Sequence, residues 1–434
     1  MLMMAGGYQL YYPTPNLPSP SNQRLIEGGR PILADGVLDK LLAKQPLANV
    51  PTLLGAVFNL CSHAHRHVSQ LAIQTACQTD TSQSNLDFTT DPQSLYWLTL
   101  KDHLQTMAMQ WRPTGDEAMA LKPIDWQSCP LWEQSAPSQF SDIAWQNRVQ
   151  DWFVQQILAV EAVKPVNIAA DGQTVSQQIL IDWWQCWQVQ GEAWLYQWVA
   201  QQAKNRHPIA LYAQQQWQYC QSIDPNDVHN DGSIVELTDI PACLTQLNEP
   251  QLQQLWQSWH TERNFCQYPH LAGQVPAAGI WGRVAQTLAT KQPTSQPTTL
   301  SLWGQIMARL VDSVAVLLHT VDAQELSCQN YLPIGALPIL TDDPATQGAV
   351  AWVAMGRGIL VHLVELAGAD GDYRMQHYGV IAPTEWHFHP NGRLQHQLMA
   401  LQSMNVSLTK QQLMAMVAAF DPCVGVRVDG IELH

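Results

Sequence analysis

The chemistry-bearing residues of this chain are two thiols, a cation and a hydroxyl, set at the ends of elements that would have to bring them together. Cys61 and His65 lie in a stretch where Leu54, Val57, Phe58, Cys61, His65 and Val68 recur at spacings of three and four. A helix would put thiol and imidazole one turn apart on an otherwise apolar face. Taken alone, such a pair is better explained by a packed thiol beside a hydrogen-bonded core histidine. Cys423 follows Phe420-Asp421-Pro422, and the proline stops a helix, so this thiol sits just past a helix end. Other candidates carry less. His63 and His67 would form a pair one turn apart, but no further ligand stands at zinc spacing, and a partly exposed histidine cluster is the better reading. His387, His389 and His396 fall in a polar connection and read as surface histidines. There is no C-x-x-C among the nine cysteines, no zinc-ribbon spacing, no G-x-S-x-G, no Walker loop and no dinucleotide fingerprint.

The elements that must position these groups come near the end of the chain. Gly358 to Leu366 is rich in β-branched and aliphatic residues, Gly368 to Asp372 has turn composition, and Tyr373 to Ile381 reads as the returning strand. With the turn near Asp370, antiparallel pairing brings Arg357 beside Pro383 and Thr384, so a cation and a hydroxyl meet at the open end of the hairpin. Ser407 or Thr409 then caps a helix whose Leu413, Met416, Val417 and Phe420 share one apolar face.

Three strings, Gly356-Arg357-Gly358-Ile359-Leu360-Val361-His362, Ala382-Pro383-Thr384-Glu385-Trp386 and Phe420-Asp421-Pro422-Cys423, resemble in order and approximate spacing the large subunits of nickel-iron hydrogenases. Gly36 to Leu42 and then Pro46 to Cys61 follow the segment that leads into the family's first C-x-x-C pair. In that register Asp39 replaces a glutamate, Phe58 the first cysteine, and Cys61 is the second. Val426 stands where the family has its last cysteine, and Asp429 where a histidine follows. With those departures the pattern is similar to hydrogenase-like accessory proteins of the HupK/HoxV type, which belong to the maturation machinery. The resemblance covers residues 36–76 and 265–434.

The resemblance implies a helix-rich α+β fold, hydrogenase large-subunit-like, in which a bundle of long helices supports the C-terminal hairpin and Cys61 and Cys423 converge. It implies a single domain over 1–434, with the N-terminal cysteine region at 36–76, a divergent Trp- and Gln-rich helical region at 78–264 and the C-terminal motif region at 265–434. In the family the cysteines hold nickel and an Fe(CN)2(CO) unit, and Cys61 and Cys423 match one bridging and one terminal position. Arg357, Pro383 and Thr384 match the pocket around the cyanides, with His65 and Asp39 as supporting residues. The expected role is a non-catalytic scaffold that holds Fe(CN)2(CO) transiently. Nickel is not expected, because Phe58 and Val426 offer no lone pair. Asp39 and Asp429 match residues near a magnesium, which is not expected here. Expected partners are the small maturation chaperone, the Fe(CN)2(CO) assembly complex and, further, the hydrogenase large subunit. The rival readings are a divergent catalytic large subunit and a metal-free interaction module of the same fold.

Composition narrows the field in the same direction. The net charge is −15 and only 21 residues are Lys or Arg, which argues against nucleic acid or an anionic membrane as partner. Charged residues make up 13%, below the usual quarter, while 18 tryptophans suggest large, weakly charged surfaces. Scattered cysteines, no secretory signal in Met1 to Pro15 and no membrane-length apolar run point to a cytoplasmic protein with reduced thiols. The run from Cys423 to His434 is too short for a cleavable tail, so no processing is expected.

Along the rest of the chain, residues 1–35 read as an extended arm and 78–145 as loop-rich with one helix over Ser94 to Trp111. Helices are expected over Val149 to Val163, Val175 to Ala203, Leu252 to Trp259 and Leu302 to Val321, with Trp183, Trp184, Trp187, Trp194 and Trp198 as packing rather than a cofactor box.

Overall fold

The computed structural model describes residues 6–12, 25–77, 92–110, 124–133, 140–159, 172–204, 244–284, 302–321, 331–368, 372–403, 408, 410–428 and 431–433. They fall into two compact units, one drawn from 1–90, 225–282 and 332–434 and the other from 91–224 and 283–331. The first unit opens with strands, not with an extended arm. Gly7–Leu10 (β1) and Ile26–Gly29 (β2) pair antiparallel, Gly7 opposite Gly29. Neither strand is long enough to signal itself, and β1 owes its place to a parallel partner at the far end of the chain, described below. Val37–Leu42 (α1), Val50–Val57 (α2) and Ser62–Cys77 (α3) follow. The continuous helix expected through Cys61 is broken: Phe58 has φ −105 and ψ 59, and Asn59–Cys61 is a 3-10 turn in which Cys61 N donates to Phe58 O at 3.1 Å. Leu54, Phe58, Cys61, His65 and Val68 are nonetheless all buried.

In the second unit, Pro92–Gln110 (α4), Ile143–Trp152 (α5), Val175–Lys204 (α6) and the later Leu302–Val321 (α8) pack on one another, α8 against both α4 and α6. The helix expected from Val149 begins earlier, at Ile143, capped by Asp142, and closes in a π-turn, Phe153–Ile157. Trp183, Trp184 and Trp187 are buried, Trp183 and Trp187 stacked at 6.4 Å, so the aromatic stripe is packing surface.

Back in the first unit, Glu249–Thr261 (α7) starts from a full capping box between Asn248 and Gln251. The hairpin is part of a four-stranded antiparallel sheet, in order Ile334–Ile339 (β3), Thr346–Met355 (β4), Gly358–Ala367 (β5) and Arg374–Ile381 (β6). Val361 faces Ile381 across the β5–β6 pair, and the register shifts at Glu365/Leu366. The turn expected at Asp370 lies outside the described residues. β4 and β5 are buried along almost their whole length, which is why both read as unbroken apolar runs. α3 packs on β4 and β5, α7 on β3 and β4, and α1 on β6. α3 covers the two central strands, its buried Ala64, Val68, Ala72 and Ile73 forming the inner face, each large aliphatic contributing roughly 1.5–3 kcal/mol. Pro383–His387 (α9), Arg393–Ser403 (α10) and Lys410–Phe420 (α11) follow, then Gly425–Val428 (β7) and Ile431–Leu433 (β8). Leu413, Met416, Val417 and Phe420 are buried, as their spacing requires, while Ser407 and Thr409 lie outside the described residues. β7 runs parallel to β1, with Tyr8 opposite Val426, so a second sheet has the order β2-β1-β7-β8. No described helix is long and apolar enough to cross a membrane.

Candidate metal centre

Cys61 closes the 3-10 turn between α2 and α3 and is 4% exposed. Cys423 stands three residues past α11, after Asp421, whose φ of 43 turns the chain out of the helix before Pro422. These two thiols meet: their side chains hydrogen-bond to each other, and that contact is the largest influence holding the Cys423 thiol well below its ordinary range. Burial opposes it, while Arg30, Thr384 and Arg357 add to it. Thr384 is bonded twice to Cys423, its Oγ1 accepting Cys423 N at 3.2 Å and lying 3.0 Å from Cys423 Sγ. The hydroxyl thus ties both the amide and the sulfur of Cys423 to the start of α9. Pro383 occupies the first turn of α9, where its missing N–H costs nothing, and so sets the start of the helix that carries Thr384.

Arg357 lies in the two-residue turn between β4 and β5. Its Nη1 donates to Cys61 Sγ at 3.0 Å and its Nε stands 3.0 Å from Asp421 Oδ2, with all three residues buried. The next residue, Gly358, has φ +129, and a Cβ there would collide with the Ala278 carbonyl, which accepts Ile359 N at 3.0 Å. Only glycine lets the β5 start lie that close and so aims Arg357 inward.

A second guanidinium went unrecognised in the sequence. Arg30, 3% exposed, grips Glu385 with Nε on Oε1 at 2.7 Å and Nη2 on Oε2, and its Nη1 reaches Cys423 Sγ at 3.4 Å. Tyr8 OH also donates to Glu385 Oε1 at 3.4 Å, and Glu385 Oε2 accepts Ala382 N at 3.3 Å. The available signal was Glu385 itself, an acid in the first turn after Pro383, buried to 1% and needing a cation. Phe58 fills the space beside Arg30. Its ring lies 5.3 Å from the Arg30 guanidinium carbon and stacks on His65 at 4.2 Å. Val426 is 1% exposed within β7.

His65 and Asp39 do not touch the sulfurs. His65 Nδ1 lies 3.0 Å from His362 Nε2, and His362 Nδ1 lies 2.6 Å from Tyr378 OH. Burial holds His65 well below the usual imidazole range and lowers His362 to about 3, so both rings are neutral. Asp39 ties α1 to β6, accepting Tyr378 N at 2.8 Å and pairing with His377 at 2.9 Å. Asp429 lies outside the described residues. His387 and His389, read as surface residues, are buried at 6% and 7%, because the connection after β6 folds inward as α9; His387 Nδ1 bonds Phe420 O at 3.1 Å. His396 is exposed, and His63 and His67 are partly so. The described cysteines are free thiols. Among the described residues no three His, Cys, Asp or Glu side chains are grouped to hold a metal ion. The site is thus a two-thiol pair with one guanidinium at each sulfur, suited to negative charge carried on sulfur or on what sulfur binds.

No protein-family model matches the chain. Among curated proteins it is similar to the hydrogenase expression/formation protein HoxV of Cupriavidus necator, 26% identical over 412 residues, covering 94% of this chain and 93% of that protein. It is 30% identical over 161 residues to the hydrogenase expression/formation protein HupK of Bradyrhizobium diazoefficiens, covering 37% of this chain and 40% of HupK. Its curated homologues are therefore hydrogenase expression/formation proteins. Among solved structures, the nickel-iron-selenium hydrogenase of D. vulgaris Hildenborough aligns over 92% of each chain with a TM-score of 0.43 and 11% identity.

Proposed function

We propose that this protein is a hydrogenase maturation protein that holds an Fe(CN)2(CO) unit between Cys61 and Cys423 in transit to a nickel-iron hydrogenase large subunit. The observation that carries the reading is the contact between two thiols far apart in the chain, with Arg357 and Thr384 directed at their sulfurs. A bare divalent ion asks for about four protein or water ligands. Iron that arrives with three strong-field ligands needs little more than two thiolates to complete its shell, and its cyanide nitrogens accept hydrogen bonds. Binding as thiolates releases the protons of the thiol pair. Arg30 and Arg357 offset the charge then left on sulfur, and Arg357 and Thr384 are the donors nearest the ligands. Nickel fits poorly, since Phe58 and Val426 leave it two soft ligands at most. The kinship with hydrogenase expression/formation proteins supports the setting. The partners that follow are the small maturation chaperone, the complex that assembles the iron unit, and the receiving large subunit.

Protein isolated without oxygen from cells making the whole maturation set is expected to show cyanide and carbonyl stretches in the infrared, with iron but little nickel by elemental analysis. Cys61→Ala should abolish the bands, and Cys423→Ala should abolish or shift them. Iron-free protein from competent cells, or bands indifferent to both substitutions, would defeat the proposal; stoichiometric nickel with hydrogen uptake would make the protein an enzyme.

A further inference from the structure

The proposed function uses Cys61 and Cys423 as a pair, but the fold treats them unequally. Cys423 is half-buried and lies in the bend between α11 and β7, outside both elements, with its amide held by the Thr384 side chain instead of by a ladder. Cys61 is 4% exposed and fixed in the 3-10 turn before α3. One thiol meets solvent and the other does not, while their side chains touch. Each sulfur also has a guanidinium donor, Arg30 Nη1 at 3.4 Å from Cys423 Sγ and Arg357 Nη1 at 3.0 Å from Cys61 Sγ, which favours the charged form in which a thiol attacks. Among the other described cysteines, burial pushes the thiol of Cys77 up to about 11 and those of Cys129 and Cys266 up to about 12, so these stay protonated and inert. An accessible thiol in contact with a buried one, each beside a cation, is the arrangement of an attacking and a resolving cysteine.

We propose that Cys423 and Cys61 form a reversible disulfide when the site is empty, Cys423 reacting first with a low-molecular-weight disulfide such as oxidised glutathione and Cys61 resolving the adduct. Cys423 Sγ gives up its proton and attacks one sulfur of oxidised glutathione, whose S–S bond breaks; the glutathione thiolate that leaves takes up that proton. Cys61 Sγ then loses its proton and attacks Cys423 Sγ, expelling the second glutathione, which takes up the second proton. Two protein thiols are oxidised and one external disulfide is reduced to two thiols. The guanidiniums stabilise the reduced, charged sulfurs, and a stabilised reduced form makes a disulfide easy to reduce, so the bond opens again in excess thiol. Its use rests on the iron-carrier reading: a disulfide has no thiolate to offer, so an oxidised chain is closed to the iron unit until it is reduced.

The test uses full-length, metal-free protein made in cells lacking the maturation set, equilibrated anaerobically with oxidised glutathione, its remaining thiols then alkylated and its peptides mapped by mass spectrometry. Wild type is expected to lose both thiols to a cross-link between the Cys61 and Cys423 peptides, with glutathione on neither, and to recover both in reduced glutathione. C61S should retain glutathione on Cys423, and C423S should leave Cys61 as a free, alkylated thiol. The wild-type cross-link needs no variant, so the test survives a substitution that fails to fold. Both cysteines alkylated in wild type, glutathione left unresolved on wild-type Cys423, or equal glutathionylation of Cys61 and Cys423 in the two serine variants overturns the proposal. Iron-loaded protein separates it from the carrier reading: the infrared bands should fade in step with the cross-link, whereas a cross-link beside undiminished bands would support the disulfide and place the iron elsewhere.

Discussion

Among the described residues, each unit contains a buried arginine–carboxylate assembly, and the two are wired in opposite senses. In the second unit Asp312 is the hub. Its Oδ1 accepts Arg283 Nε and Tyr331 OH, each at 2.6 Å, and its Oδ2 accepts Arg283 Nη2 and His103 Nε2, the latter at 2.6 Å. Arg309 Nη1 supplies the other ring nitrogen of His103 at 3.0 Å. The acceptor is saturated by the protein, and the Arg283 guanidinium holds the carboxyl far below its usual range against the burial that opposes it. In the first unit the arginines are the hubs. Glu385 and Asp421 anchor them, and the remaining donors run out to sulfur. A neutral thiol is a weak acceptor, so those donors come into their own only when sulfur carries charge. A closed network of this kind holds a fold together; the open one leaves its donors on sulfur, where the proposed function would use them.

The sharpest way to break the comparison is Asp312→Ala. It leaves the buried Arg283 without its counter-charge and is expected to cost on the order of 3–5 kcal/mol, read as a shifted urea midpoint of the second unit. The double variant C61S/C423S should change stability by no more than about 1 kcal/mol, measured in the same way. If the two variants were equally destabilised, the distinction between closed and open networks would be lost.

Acid provides a second test, through the neutral histidines behind the thiols. His362 is held near 3, against about 6.5 in an unfolded chain. Between those values the unfolded chain binds the proton and the native protein does not, so the stability is whole above about pH 6.5 and falls as pH drops. By pH 5 the loss from His362 is about 2 kcal/mol. H362Q should flatten the slope of urea midpoint against pH between 6.5 and 4; an unchanged slope would mean the ring is protonated in the fold.

The smallest expected effect is Arg357→Lys. The positive charge stays, but the fork that serves both Cys61 and Asp421 is lost. The cyanide stretches of loaded protein should shift while iron content holds, and Arg357→Ala should shift them further. Bands that do not move in either variant would place the guanidinium away from the ligands.

What was legible in the sequence follows contact range. Val175–Lys204 and Leu302–Val321 show in the helical period because their faces are local patterns, and the β5–β6 pairing shows because a turn connects the strands, though its register is displaced from the expected one and shifts at Glu365/Leu366. Cys61 and Cys423 were linked only through resemblance, since nothing local ties residues so far apart. Arg30 and Glu385, 355 positions apart, were missed for the same reason. So was β1, a four-residue strand whose parallel partner is β7. The break at Phe58 was hidden because a phenylalanine on an apolar face reads as helix whether or not its backbone is helical, and the buried His387 was hidden by the polar residues around it.

The β1–β7 ladder has a consequence for biosynthesis. Gly7 pairs with Gly425 and Leu10 with Val428, so β1 must wait for β7, made far later in the chain. Arg30, Tyr8 and Cys61 exist early, but Glu385 and Cys423 arrive only with the final stretch, and the loop to be closed is nearly the whole chain. The dithiol therefore forms only after Cys423 has been made. Until β7 is made, β1 lacks its parallel partner and Cys61 has no Cys423 to meet.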